Sequence, residues 1–485
     1  MKSLVIHTPD WVKDAVFYQV FPDRFAFSPL VPKPLNLEAW DAPPTAHGYK
    51  GGDLLGVLEH LDHIASLGCN AIYLNPIFQS GSNHRYHTHD YLQVDPMLGG
   101  NAALRQLLDA AHARGIRVIL DGVFNHASRG FLQFHDILEN GPDSAYLDWF
   151  HIEQFPLRPY SEKEPPGYKT WWGYPALPKF NTNSIAVREY LWSVAEYWIK
   201  FGIDGWRLDV PNEIDDDEFW REFRRRVKAA NPEAYLVGEI WDAAERWLQG
   251  DQFDATMNYV FTRLVTGFFG GASLNHPELS KCGLKDTVAL TASEFADGIQ
   301  GLLDAYPWEV TLAEFNLLDS HDTPRFITSV NGDDSAYRLA TLFQMTFPGA
   351  PCIYYGSEVG LEGGQDPDCR KGMPWDTGAW DEDRLAFTRA AVALREAVPA
   401  LRRGRYRPLV AQGQTFGFER HLETQGSWAV VLLNADTRLH DFQLAGLTDG
   451  VYHDYFSKRG YLVRNGTVVV DGVPPRSGAV LVKDA

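Results

Sequence analysis

The stretch Ile203-Asp204-Gly205-Trp206-Arg207-Leu208-Asp209-Val210 alternates with the period of a β-strand. Strand side chains point to opposite faces in turn, so Gly205, Arg207 and Asp209 share one face and Trp206, Leu208 and Val210 the other. The apolar face must pack on apolar neighbours, which turns an arginine and an aspartate toward whatever the strand encloses. A buried charge is costly unless it is paired, so the two form either a structural ion pair or part of a reactive site. Three more strand-like runs end in similar chemistry. The run 235–240 carries Glu239 in phase with Val237, the run 315–318 leads into Asp319-Ser320-His321-Asp322, and the run 118–120 leads into Asp121-Gly122-Val123-Phe124-Asn125-His126. Carboxylates and histidines gathered at four strand ends weigh against a purely structural pair. Two carboxylates flanking one bond are what glycoside hydrolysis needs, one as an anionic nucleophile and one as a protonated acid. Arg207 beside Asp209 would keep that carboxylate ionised, and Glu239, between Gly238 and Ile240, suits the acid with a raised pKa. Asp322 would be a third carboxylate, able to grip hydroxyl groups.

The elements that must position these groups follow from the rest of the pattern. Short apolar runs at 16–21, 71–74, 118–120, 203–210, 235–240, 254–257, 315–318 and 352–355 read as strands. Amphipathic stretches at 54–67, 102–114, 185–200, 218–230, 294–306, 335–347 and 384–398 read as helices, the first of them capped by Asp53. About eight βα units predict a (β/α)8 barrel, whose active site lies at the C-terminal ends of the strands. A doubly wound open sheet is the alternative, but no G-x-G-x-x-G follows the first strand. Two segments break the rhythm. Residues 124–184 are rich in Pro, Gly and aromatics and predict a domain inserted after the third strand; 1–123 and 185–402 form the barrel. Beyond 403 the runs 415–418, 428–433 and 467–470, with an Asn465-Gly466 turn, predict a C-terminal β-sandwich domain over 403–485.

Charge and composition narrow the function further. A net charge of −19 over 485 residues opposes phosphate backbones and anionic lipid, so neither nucleic acid nor membrane is an expected partner. The lead Met1–Asp10 has no apolar core of a signal peptide, and no uninterrupted apolar run is long enough to span a bilayer. Four scattered cysteines show no C-x-x-C spacing and make no disulfide scaffold, which places the protein in a reducing cytoplasm.

Four motifs in order, DGVFNH (121–126), GWRLDV (205–210), GEIW (238–241) and LLDSHD (317–322), resemble the conserved regions of the α-amylase superfamily, glycoside hydrolase family 13. The resemblance extends through YQVFPDRF, GGDLLGVLEHLDHI (51–64) and PGAPCIYYGSEVG (348–360), nearly the whole chain. It implies Asp209 as nucleophile, Glu239 as acid/base and Asp322 as transition-state stabiliser. Arg207, His126 and His321 would hold the sugar at the cleaved bond, and Tyr86 would stack beneath it. LPKFN (177–181) and DPDCRKGMPWD (366–376) resemble the neopullulanase, cyclomaltodextrinase and maltogenic amylase subgroup. That adds Glu213, Trp241 and Arg370 to the expected substrate-binding set, with an α-glucan oligosaccharide as partner. The implied activity is hydrolysis of α-1,4 bonds in maltodextrins, cyclodextrins and pullulan, with some transfer. An exo-acting α-glucosidase, a glucanotransferase and a non-catalytic sugar-binding relative are the other readings. Only a short lead stands where the subgroup carries an N-terminal β-sandwich, which leaves the oligomeric state open.

Three features have two readings each. His84, His87 and His89 could ligate zinc or line a sugar cleft. Asn125 matches a calcium-binding position in relatives, so structural calcium stays open although no cofactor is required. Trp171 and Trp172 could be core of the insert or platforms for sugar rings.

Overall fold

The computed structural model describes residues 6–161 and 163–483. The first five residues of the Met1–Asp10 lead therefore lie outside it.

Eight parallel strands build the centre: β1 (Phe17–Val20), β2 (Ala71–Leu74), β3 (Arg117–Gly122), β4 (Gly205–Leu208), β5 (Tyr235–Gly238), β6 (Ala255–Thr256), β7 (Phe315–Leu317) and β8 (Ala350–Tyr354). Their spatial order is β6-β5-β4-β3-β2-β1-β8-β7, and a parallel bridge from Met257 to Phe315 joins the two ends into a barrel. Alternation decides which side chains face in. Phe17, Tyr73, Ile119, Val237, Met257 and Phe315 fill the interior, while Tyr18, Ile72, Leu120, Trp206 and Leu236 pack outward on the helices. Gly205 faces inward where a Cβ would lie only 2.2 Å from the carbonyl oxygen of Tyr235, so β4 and β5 approach as they do because a glycine stands there. Trp11 closes the lower end against Phe17 and Tyr235.

The helices form as the sequence predicts, with local differences at their ends. Asp53 caps the first by accepting from the Gly56 N–H at 2.7 Å, and that helix breaks at His60 into Leu54–Glu59 and Leu61–Ser66. Thr291 and Glu294 form a reciprocal capping box on Ala292–Ala305. Among the helices without a counterpart in the sequence reading is Tyr259–Gly270. It is apolar nearly all round and buried, so it lacks the two-faced periodicity that reveals surface helices.

Three excursions rise above the C-terminal ends of the strands. The insert after β3 packs around Phe131, Phe134, Phe150, Tyr168 and Phe180, and bridges from His126 to Lys179 and from Phe150 to Phe180 hold it to its base. A hairpin, Phe78–Ser80 with Thr88–Val94, follows β2 and carries Tyr86. Residues 27–50, which the sequence reading left undescribed, form a long loop after β1. Trp40 Nε1 donates to the Met373 carbonyl at 2.8 Å, and Lys50 Nζ donates to the carbonyls of Ala39 and Ala42 at 2.7 Å.

The tail folds into a six-stranded antiparallel sheet and a separate two-stranded ribbon (His440–Leu444 with Val468–Val473), with Leu432, Phe442, Tyr452, Val470 and Leu481 between them. Asn465 and Gly466 both take the left-handed conformation the turn requires, at φ 51 and 72. Five tail strands escaped the sequence reading, among them Arg405–Gln412 and Ser477–Lys483, which are largely half-buried or exposed. Among the described residues, no helix is long and apolar enough to cross a membrane.

Candidate active site

Arg207 sits at the top of the barrel interior with none of its surface exposed. Register places Asp121 of β3 directly beside it, and Nη1 donates to Asp121 Oδ1 at 2.8 Å and to Asp209 Oδ1 at 2.9 Å. Nη2 pairs with Glu239 Oε2 at 2.9 Å and lies 3.9 Å from Asp322 Oδ2. Four carboxylates thus meet at one guanidinium. Arg370 reaches the same group from the far side, 3.3 Å from Asp322 Oδ1, while its Nε donates to the His321 carbonyl at 2.9 Å.

The chain bends sharply to present Asp209 and Glu239. β4 ends at Leu208, and Val210 turns back in a left-handed conformation at φ 35, a strained state for a β-branched residue. That corrects the expectation that Val210 continues the strand toward the helices. The strain has a local use, because the Val210 N–H donates to Glu239 Oε2 at 3.1 Å. The other oxygen, Oε1, accepts from Trp241 Nε1 at 3.0 Å, and Trp241 lies flat on Tyr259 with ring centres 3.6 Å apart. Glu239 is therefore held from both sides.

Hydrogen-bond directions around Asp121 can be followed outward from one fixed point. Asp121, paired with Arg207, accepts from Tyr73 at 2.6 Å and from Tyr86 at 2.8 Å. Both hydroxyls, having spent their protons, accept from Asn75 Nδ2 at 3.2 Å. Asn75 Oδ1 then accepts from Gln19 Nε2 at 2.9 Å, and the remaining Nε2 proton points at His321 Nδ1, also 2.9 Å away. His321 consequently carries its proton on Nε2, facing Tyr86 Oη at 2.5 Å and Asp322 Oδ2 at 3.1 Å. Tyr86 and His321 lie parallel, 2° between their planes.

Electrostatics distribute protons differently from the sequence expectation. Burial pushes Asp209 well above the usual carboxylate range, Glu239 and Asp121 add to the rise, and Arg207 opposes it. Arg207 alone does not hold Asp209 down, as its neighbourhood in sequence suggested, because the same guanidinium is shared among several carboxylates. Asp121 is raised as well, chiefly by burial, and Asp322 rises to about 7 through burial and then Glu239, with Arg370 and Arg207 opposing. Its side chain is 28% exposed, so solvent tempers that rise. Burial and mutual repulsion thus raise Asp121, Asp209 and Asp322 against the pull of Arg207 and Arg370. Burial drives His321 well down and His126 to about 3, so both are neutral.

Residues 19–394 match the α-amylase family, in its description the alpha amylase catalytic domain. The chain belongs to the α-amylase family. It is a glycosidase of the cyclomaltodextrinase, neopullulanase and maltogenic amylase type. A cyclomaltodextrinase from a Bacillus species is 46% identical over 449 residues, covering 92% of this chain and 77% of that one. Neopullulanase 2 from Thermoactinomyces vulgaris is 44% identical over 429 residues, covering 87% and 70%. A crystal structure of a debranching enzyme from Nostoc punctiforme superposes with a TM-score of 0.89 at 49% identity, covering 99% of this chain and all of that one.

In this α-amylase-family barrel, Tyr86, Arg207, Asp209, Glu239, Trp241, His321, Asp322 and Arg370 converge as one cluster. His126 lies buried at the base of the insert, its ring 5.3 Å from that of Trp171 and its Nε2 without a partner. Glu213 is not drawn in. It stands half exposed on the turn Pro211–Glu213, with its carbonyl accepting from Lys179 Nζ of the insert at 2.7 Å. Asp121, Tyr73, Asn75 and Gln19 were missed as site residues, although Asp121 and Gln19 share the inward phase of their strands and could have been found that way. The side-chain oxygen of Asn125 is buried without a hydrogen-bond partner. Among the described residues no three His, Cys, Asp or Glu side chains gather to hold a metal, the histidines at 84, 87 and 89 included.

Proposed function

We propose that this enzyme cleaves α-1,4-glucosidic bonds of maltodextrins, cyclodextrins and pullulan with retention of configuration, and that it transfers part of the product to sugar acceptors. One observation carries the reading: Asp209 and Glu239 each engage a different nitrogen of the Arg207 guanidinium, both at 2.9 Å. We take that shared guanidinium to hold a nucleophile and an acid about one reacting bond. Asp209 attacks the anomeric carbon as Glu239 gives its proton to the departing glycosidic oxygen. Glu239 then takes a proton from water, which attacks the same carbon and releases Asp209. A sugar hydroxyl in place of that water gives transfer. Asp322, with Arg370 and the Nε2–H of His321, grips hydroxyls of the distorting ring. The net charge of −19 favours a neutral substrate, and the four cysteines, all free, suit a reducing cytoplasm.

We take the aromatic insert and the segment around Arg370 and Trp375 to wall the cleft, which favours short or cyclic glucans over starch. A long chain must give up more freedom to enter. Proton NMR of maltotriose, β-cyclodextrin and soluble starch digests tests both points together. The first product is expected as the α-anomer, with kcat/KM higher on the two small substrates. An initial β-anomer refutes the roles given to Asp209 and Glu239, and a clear preference for starch refutes the walled cleft.

A further inference from the structure

The aromatic residues of the insert do not share one fate. Phe131, Phe134 and Phe150 are core, whereas Trp172 and Tyr174 are 76% and 56% exposed. Their exposure is built rather than incidental. Trp172 lies at φ 49 and is followed by Gly173 at φ 79, so two successive residues take the left-handed conformation that L side chains avoid. A tight turn imposes it: the Trp171 N–H donates to the Leu177 carbonyl at 3.0 Å, the Tyr174 N–H to Trp171 at 3.0 Å and the Leu177 N–H to Tyr174 at 2.9 Å. A bulky residue kept in a strained conformation on the surface gains nothing for the fold, and such strain marks positions held for function.

The rings form a continuous stack from the surface to His126, which follows β3 at the base of the insert. Trp172 stacks on Trp171 with centres 5.2 Å apart and planes 19° from parallel, Tyr174 flanks Trp171 at 6.1 Å, and Trp171 stacks on the buried His126 at 5.3 Å. Trp171 is wall: half-buried, with a ring on both sides. Trp172 has one face on Trp171 and the other in solvent. A flat, uncharged, outward face contiguous with a sugar-cleaving site fits a pyranose ring, whose C–H bonds pack on aromatic faces while its hydroxyls stay wet.

We propose that Trp172, backed by Trp171, is a distal platform that stacks on a glucose unit of an α-glucan chain one or more units away from the cleaved bond. The platform rests on the function proposed above and makes it length-dependent. Glucans long enough to reach Trp172 bind more tightly than those that end over His126, and an acceptor chain stacked there by a distal unit is held so that its terminal unit can reach the cleaved bond.

Calorimetric titration of maltoheptaose and maltose into the Asp209→Asn protein tests this without turnover. Adding Trp172→Gly to that background should weaken maltoheptaose about 5- to 10-fold, the scale of one lost aromatic stack, and leave maltose as before. Trp172→Tyr keeps a ring and should retain most of the affinity. The unfolding temperature of Trp172→Gly should stay level or rise, because glycine relieves the left-handed strain and an exposed ring contributes little packing. Equal maltoheptaose affinity with and without the Trp172 ring overturns the platform, and so does a sharp fall in unfolding temperature, which would make the residue structural. If Asp209→Asn binds neither sugar, the proposed function itself falls and takes the platform with it.

Discussion

Replacing Gln19 by Glu reverses one link of a hydrogen-bond chain while nearly preserving its shape. In the native protein Gln19 Nε2 donates to both Asn75 Oδ1 and His321 Nδ1, each at 2.9 Å, and so confines the His321 proton to Nε2. An ionised carboxylate at this position can only accept. His321 must then offer a proton from Nδ1, and it does not become doubly protonated because burial, Arg370 and Arg207 all oppose its charge. The proton leaves Nε2, and the donor facing Asp322 Oδ2 at 3.1 Å becomes a lone pair. A hydrogen bond to a charged group is worth about 1.5–3 kcal/mol, so kcat/KM should fall about 10- to 100-fold. The loss has a sign in pH. While the introduced carboxyl is protonated, its O–H supplies the donor that Gln19 supplied, and activity is kept; it is lost as pH rises and that group ionises. Profiles of kcat/KM on maltotriose across pH 4–9 for Gln19→Glu and the native enzyme measure it. A merely structural role for Gln19 would lower the whole curve by a constant factor, and curves of identical shape would refute the relay.

Two further outcomes follow from the same geometry. Asp209→Asn and Glu239→Gln should each lower kcat by several orders of magnitude with unchanged circular dichroism, since both keep shape and remove a charge or a proton; retention of about a tenth of native kcat in either would remove its assigned role. Glu314, 2% exposed below β7 with its carboxylate accepting from the Thr256 N–H and hydroxyl at 3.1 Å, has its pKa raised from 4.5 to about 8 by burial. Its stabilising contribution is complete below the unfolded value and is lost as pH rises toward the folded one, to a ceiling of about 5 kcal/mol at 1.36 kcal/mol per unit. Glu314→Gln should thus match the native protein in urea unfolding near pH 4 and exceed it near pH 8, and a gap independent of pH would refute the assignment.

Local periodicity was enough to reveal the barrel and its reactive edge. Alternation in 203–210 put Arg207 and Asp209 on the enclosed face, and the same phase in 235–240 put Glu239 there, because strand side chains point by parity whatever the strand pairs with. The aromatic insert and the apolar β tail were legible through breaks in that rhythm, and four motifs in order carried the family. The buried helix Tyr259–Gly270 was not legible, since a helix covered on all sides loses its polar face, and neither was the excursion at 27–50, which has no period.

What only the tertiary structure decided is how those charges share one space. Asp121 stands opposite Arg207 through the register of β3 and β4, and Gln19 meets His321 only because the barrel closes around both. Asp209, adjacent in sequence to the arginine that was to keep it ionised, is instead pushed upward by its burial and by carboxylates brought from other strands. Glu213, close in sequence to the nucleophile, ends at the rim on Lys179, and Trp171 and Trp172, side by side in sequence, become wall and exposed face. Sequence spacing fixes which way a side chain points along its own element; pKa, tautomer and partner depend on Coulomb and desolvation energies between elements, and those exist only once the chain has folded.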